Sequence, residues 1–246
     1  MLKKWMLAEA SCFLFCLFTV SFGHGSEQEL FNDPILAIEQ DFQDGQLTLD
    51  EKVLLQIQAI KNPFELPQQY QLFDLSTGIT ASRSATIALK EIMVQWDFLS
   101  EETQRAFRAA FARWQTEFTY DSPSGFFKLH YDTSGTHQVP PDDSDFSGVP
   151  DFVEKCAAYC DTTLDTHLLL GFIEPPSDGG LGGDDKYDIY FENMGYYGYA
   201  VPEGPGDAPW NDYYSYLVLH HNFLGFPPNN DPEGDQYGAA KATAAH

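Results

Sequence analysis

Positive charge is scarce in this sequence. Its 246 residues hold 13 lysines and arginines against 37 aspartates and glutamates, and no arginine follows Arg113. A protein that binds nucleic acid or an anionic membrane surface needs Lys and Arg to replace the counterions of the phosphates. Both partners are therefore excluded, whereas a surplus of carboxylates suits divalent cations. Cysteine is scarcer still, with four in the chain. After the first apolar run, no later stretch approaches the ~20 apolar residues of a membrane-spanning helix. The glycines of "SDGGLGGDD" lack the third glycine of a dinucleotide fingerprint, and neither a phosphate loop nor a Gly-x-Ser-x-Gly elbow occurs. Nucleotide and serine-hydrolase chemistry have no support.

What is present begins with Lys3 and Lys4, the apolar "SCFLFCLFTVSFG" and a polar "HGSEQE". This is the order of a secretory signal peptide, with cleavage expected near Gly23 to Gly25. Residues 1–25 are read as that signal, and Glu9 and the shortness of the run argue against a permanent anchor. The exported protein, extracellular or periplasmic, keeps 11 basic and 36 acidic residues, a net charge of −25, and has no stable membrane association. Of the cysteines, only Cys156 and Cys160 remain, four apart on a helical stretch. Their Cβ atoms would lie ~5 to 6 Å apart, too far for the roughly 4 Å of a disulfide, so they read as two small buried hydrophobes.

Residues 26–122 read as an α-helical region, accessory or inhibitory. "NDPILAIEQDFQDG" offers Asp33 as N-cap, Pro34 at the first helical position and Gly45 as a stop. "LTLDEKVLLQIQAIKNP" carries Thr48 and Glu51 at capping-box spacing and ends at Pro63. "ATIALKEIMVQWDFL" and "SEETQRAFRAAFARW", the latter capped by Ser100, follow with helical periodicity. "DSPSG", residues 121–125, breaks the pattern and is the expected boundary. Residues 123–246 then read as strand, helix, strand, strand, helix: "FFKLHY", "DFVEKCAAYCDTTLDTHLLLGF", "KYDIYFENM", "YYSYLVLHHNF" and "GAAKATAAH". The predicted fold class is α+β.

"DSDFSGVPDFVE", residues 143–154, has the spacing of a twelve-residue calcium loop. Asp143, Asp145 and Ser147 hold positions 1, 3 and 5, Gly148 the sharp turn at 6, Val149 the backbone ligand at 7, Asp151 position 9 and Glu154 position 12. A hard cation needs that many convergent oxygens. Ser147 and Pro150 depart from the usual pattern, no helix precedes the loop, and a solvated acidic turn capping the next helix is the competing reading. His220 and His221, adjacent in a strand, are expected to face opposite sides. His130 and His167 read as lone residues on core elements.

Taken in order, "GQLTLDEKVLLQ", "FELPQQY", "FFKLHYDTSG", "DFSGVPDFVE", "GGDDKYDIYFEN", "SYLVLHHNF" and "KATAAH" resemble a family of secreted bacterial zinc metalloproteases of the zincin class. Thr243-Ala-Ala-His246 resembles the first part of their His-Glu-x-x-His helix, cut after its first histidine. The resemblance implies the upper half of a zincin-like domain: a twisted mixed sheet, a backing helix and the start of the metal-bearing helix. It also implies His246 as one Zn²⁺ ligand and a polypeptide substrate paired along an edge strand at Leu217, Val218, Leu219 and His220. The general-base glutamate and the other ligands would lie beyond residue 246, leaving the 246 residues inactive by themselves. A calcium-stabilised secreted binding module without catalysis is the alternative expectation.

Overall fold

A computed structural model describes residues 33–71, 82–206 and 212–246. The signal-peptide expectation for residues 1–25 lies outside the described residues. The fold is α+β. Helices α1 (Pro34–Gln43) and α2 (Leu49–Lys61) are followed by strand β1 (Ser82–Ser84), helices α3 (Thr86–Val94) and α4 (Glu101–Ala110), and strands β2 (Phe118–Asp121) and β3 (Phe127–Tyr131). Helix α5 (Asp151–Leu169), strands β4 (Tyr187–Glu192), β5 (Tyr196–Pro205) and β6 (Tyr213–His220), and helix α6 (Asp235–Ala245) complete it. Among the described residues no helix is long and apolar enough to cross a membrane.

The helix termini obey the local chemistry of the sequence. The Asp33 side chain accepts the Ile35 N–H, Gly45 takes φ +73°, and Thr48 and Glu51 form a reciprocal capping box. The Ser100 side chain accepts the Thr103 N–H at the head of α4. "DSPSG" is the turn of the β2–β3 hairpin, where the Gly125 N–H reaches the Ser122 carbonyl at φ +78°.

The six strands run in the order β1-β5-β6-β4-β3-β2. β3, β4 and β6 are mutually parallel, whereas β5 is antiparallel to β6 and β2 to β3. One face carries Tyr190, Tyr196, Tyr199, Val201, Tyr216 and Val218, which pack with Val53, Ile57, Leu89, Ile92, Phe107 and Phe111 of the helical region. The other carries Leu129, Ile189, Phe191 and Leu219 against Phe152, Val153, Cys156 and Cys160 of α5 and Ala239 and Ala240 of α6. The helices before residue 112 thus supply one layer of a three-layer sandwich and share its core. A sheet covered on both faces needs strands apolar on both sides, which is why "YDIYFE" and "YYSYLVLH" show no polar alternation.

That same property corrects one expectation. Leu217, Val218, Leu219 and His220 do not form an edge, because β6 lies between β5 and β4. The edge-like residues belong to β5, whose "VPEGP" carries the prolines, glycine and charge that blunt an edge.

A buried ion cluster fastens the layers. Arg113, the residue by which the chain leaves the helical layer, donates from Nη1 to Asp188 of β4. It also reaches Asp178 Oδ2 at 2.6 Å and Glu203 Oε2 of β5 at 2.7 Å. Asp188 is fully buried, and its second oxygen lies 2.6 Å from His130 Nε2 of β3. Burial opposes the Arg113 charge, but Glu203, Asp188 and Asp178 outweigh it and raise the guanidinium pKa. The glycine-rich loop closes over the cluster: a Cβ on Gly182 would fall 1.8 Å from Asp188 Oδ2. His130 is therefore the satisfied core histidine the sequence suggested. Lys61 makes a second tie, donating from α2 to Glu192 at 2.7 Å and to Tyr199 at 3.2 Å.

Replacing Arg113 by Met removes the guanidinium on which Asp188, Asp178 and Glu203 converge. We expect a loss of about 3–5 kcal/mol in urea unfolding, the size typical of leaving buried charges uncompensated. A loss below about 1 kcal/mol would show that the cluster does not fasten the layers.

Candidate metal centre

The 143–151 loop folds around its own carboxylates. Asp143 accepts the Ser147 N–H through Oδ1 and the Gly148 N–H through Oδ2, both at 3.0 Å, and Asp145 Oδ1 accepts the Ser147 N–H at 3.0 Å. Asp151, at the start of α5, accepts the Ser144 N–H at 3.1 Å. Gly148 makes the sharp turn at φ +87°, and Phe146 (φ +61°) is thrown outward, 90% exposed.

One carboxylate oxygen from each of Asp143, Asp145 and Asp151 comes within 4.8 Å of the others. None of the three has an ion-pair partner among the described residues. Glu154 stands outside this group; its charge raises the phenol pKa of Tyr120 and Tyr131, in both cases after burial. The Val149 carbonyl, read as a backbone ligand, accepts the Ser147 hydroxyl at 3.3 Å. Of the four carboxylates named from the sequence, three are thus gathered as potential donors. Such oxygens are the donor type that a hard divalent cation takes.

His246 ends at the exposed tip of α6, its N–H donating to the Thr243 carbonyl at 3.3 Å. No His, Cys, Asp or Glu gathers with it among the described residues. The helix that carries it is nonetheless firmly placed. Lys241 donates to Asp231 at 2.9 and 3.0 Å and pairs with Glu233. Glu233 also pairs with Lys155 of α5 and accepts Tyr159 OH at 2.9 Å. Those partners, Lys155 first, bring the Glu233 carboxyl down to about 2. Further along, Thr243 Cγ2 would lie 2.7 Å from a Cβ on Gly198 of β5, so only glycine lets α6 approach the sheet there. A glycine inside a strand pattern is the available sequence signal of such close approach. The alanines of α6 have the same origin, since Ala239 and Ala240 are buried against α5 and the sheet.

Two expectations about the other histidines need correction. His220 and His221 do not face opposite sides: β6 ends at His220, the chain bends, and the two rings lie 4.8 Å apart. His220 Nδ1 accepts the Phe223 N–H at 2.7 Å, while His221 Nδ1 lies 2.6 Å from the Gln138 carbonyl. His167 is not a core residue but sits on the exposed end of α5, near Phe172. Cys156 and Cys160 are free, buried thiols, as their spacing implied.

Burial, then repulsion from His221, brings the His220 pKa down to about 3, and burial lowers that of His221. The unfolded chain protonates these rings near pH 6.5 while the folded chain does not. Stability is therefore complete above about pH 6.5 and lost as pH falls toward 3. We expect the unfolding free energy to drop by up to about 1.4 kcal/mol per pH unit for each ring. The decline should be shallower in His220→Phe; an identical pH profile would contradict the assignment.

The chain matches no family model, no curated protein and no solved structure.

Proposed function

We propose that this chain is the N-terminal part of a secreted zinc-dependent peptide hydrolase, stabilised by a calcium ion in the 143–151 loop. The observation that carries the reading is the placement of His246. It stands at the exposed end of an alanine-rich helix clamped to α5 by Lys155, Lys241 and Glu233 and held against β5 at Gly198. The mixed sheet with α5 behind it is compatible with the zincin-like layout that the sequence suggested. The substrate would be a polypeptide, and nucleic acid would be excluded by charge.

The two metals fare differently on the donors present. Asp143, Asp145 and Asp151 offer three convergent oxygens with no competing side-chain cation among the described residues, which fits calcium. For zinc the described residues offer His246 alone, whereas a catalytic site takes three protein ligands. The described residues therefore do not complete a zinc site. The role assignable to them is positional: α6 fixes where one imidazole stands relative to the sheet.

Two measurements test the proposal. The reading frame of the gene should continue from His246 with a glutamate next and a histidine four positions on. In the full product, changing that glutamate to Gln should abolish casein hydrolysis while zinc stays near one per chain, because the base is lost and the ligands are kept. Any other residues at those two positions remove the hydrolase reading and leave the calcium-stabilised binding module. For the loop, calcium at a hundredfold excess over Kd should stabilise the wild-type chain by about 2.7 kcal/mol relative to chelator. Asp145→Ala should gain far less; an equal gain places the calcium elsewhere.

A further inference from the structure

We propose that the cleft between the C-terminal half of α2 and the ends of β3 and β4 binds a free amino acid with an aliphatic side chain. This goes beyond the hydrolase reading, because it concerns a small zwitterion held under the helical layer, on the sheet face that α6 does not cover.

The cleft has a volume of about 740 Å³, within the roughly 300–1,000 Å³ of small-molecule sites. Its place follows from the topology. β3 and β4 are parallel neighbours; Glu192 and Asn193 stand at the carboxyl end of β4, and Thr136 and His137 lie in the loop after β3. Crevices outside the carboxyl ends of parallel strands are where open sheets take ligands. The opposite wall is α2, and Lys61 and Glu192 tie the two walls together across the cleft. On the sheet side the Asn193 N–H donates to His137 Nδ1 at 3.0 Å, which fixes the His137 loop against the end of β4.

The polar groups in the cleft match a zwitterion. Lys61 Nζ gives two of its three N–H groups to one carboxylate, Glu192 Oε1 at 2.7 Å and Oε2 at 3.0 Å, and the third to Tyr199. One of the two can turn to a ligand carboxylate while the other keeps the pair. Glu192 Oε2 also accepts the Tyr199 hydroxyl, whereas Oε1 accepts Lys61 alone among the described residues and keeps a lone pair for a ligand ammonium. Because His137 Nδ1 is an acceptor, the ring carries its proton on Nε2, a second donor for the carboxylate. A ligand with a single charge meets a like charge in the Lys61–Glu192 pair, and a bare carboxylate also meets the net −24 of the chain. A zwitterion satisfies both ends. The remaining wall selects the side chain: Ile57 is buried, Ala110 half-buried and Leu54 40% exposed, and no phenylalanine, tyrosine or tryptophan lines the cleft among the described residues. An aliphatic side chain laid on these three leaves water.

The probe is L-leucine, titrated into the 246-residue chain by calorimetry. We expect a Kd below ~1 mM, within reach of so small a ligand, and a rise in melting temperature at saturating leucine. Isoamylamine, which lacks the carboxylate, and 4-methylpentanoate, which lacks the ammonium, should bind at least tenfold more weakly, the effect of losing one charged contact. Leu54→Asp removes part of the apolar wall at an exposed position and should weaken leucine at least tenfold with its melting unchanged. The double variant Lys61→Gln with Glu192→Gln removes both charges at once and should bind leucine no more tightly than the two analogues. No heat and no melting shift with about 10 mM leucine, tenfold above the expected limit, overturns the proposal, as do analogues that bind as tightly as leucine or full binding by Leu54→Asp. Should the double variant fail to fold, His137→Phe replaces it: the lost donor should weaken leucine and leave isoamylamine unchanged, and an equal effect on both overturns the inference.

Discussion

The architecture depends on one buried cation. Arg113 is the last arginine in the sequence, and three carboxylates from a loop and two strands converge on it. Burying a carboxylate such as that of Asp188 without a partner is costly, and Arg113 and His130 between them take both of its oxygens. Arg113 also marks where the chain passes from the helical layer into the hairpin. The same contact thus neutralises the sheet's interior charge and fixes the first layer to the second. Desolvation consumes much of the Coulomb gain of such a cluster, so its net contribution to stability is smaller than the cost of removing one partner.

With that contact in place, the rest follows from a sheet that is apolar on both faces. Helices α2 to α4 cover one side and α5 and α6 the other, so the aromatic strands have no wet face. The two outer layers are not equivalent in chemistry. The first is fastened by Arg113 and Lys61. The second is fastened at its rim by Lys155 and Lys241, which share Glu233. In a chain so poor in basic residues, Lys61, Arg113, Lys128, Lys155 and Lys186 each pair with a carboxylate on an element distant in sequence.

Local elements were legible in the sequence wherever local chemistry decides them. Asp33, Thr48 with Glu51, and Ser100 mark helix starts because capping is a contact between residues two or three apart. The 143–151 loop was legible for the same reason, its geometry being set by Gly148 and by aspartates bonding to nearby N–H groups. Long-range placement was not. The strand at 217–220 was read as an edge although its unbroken apolar run, in a sheet covered on both faces, belongs to an internal strand. The meeting of His220 and His221 depended on where β6 stops, and the exposure of His167 on how far α5 outruns its neighbours. The gathering of Arg113 with Asp178, Asp188 and Glu203 spans up to 90 residues and has no periodic signature.

The two thiols bear on how the protein is made. Burial raises the Cys156 pKa well above its ordinary value and pushes that of Cys160 up to about 12, so at neutral pH both stay protonated and inert inside the α5 face. Among the described residues the fold is reached with both sulfurs unpaired, so a reductant removes no cross-link there.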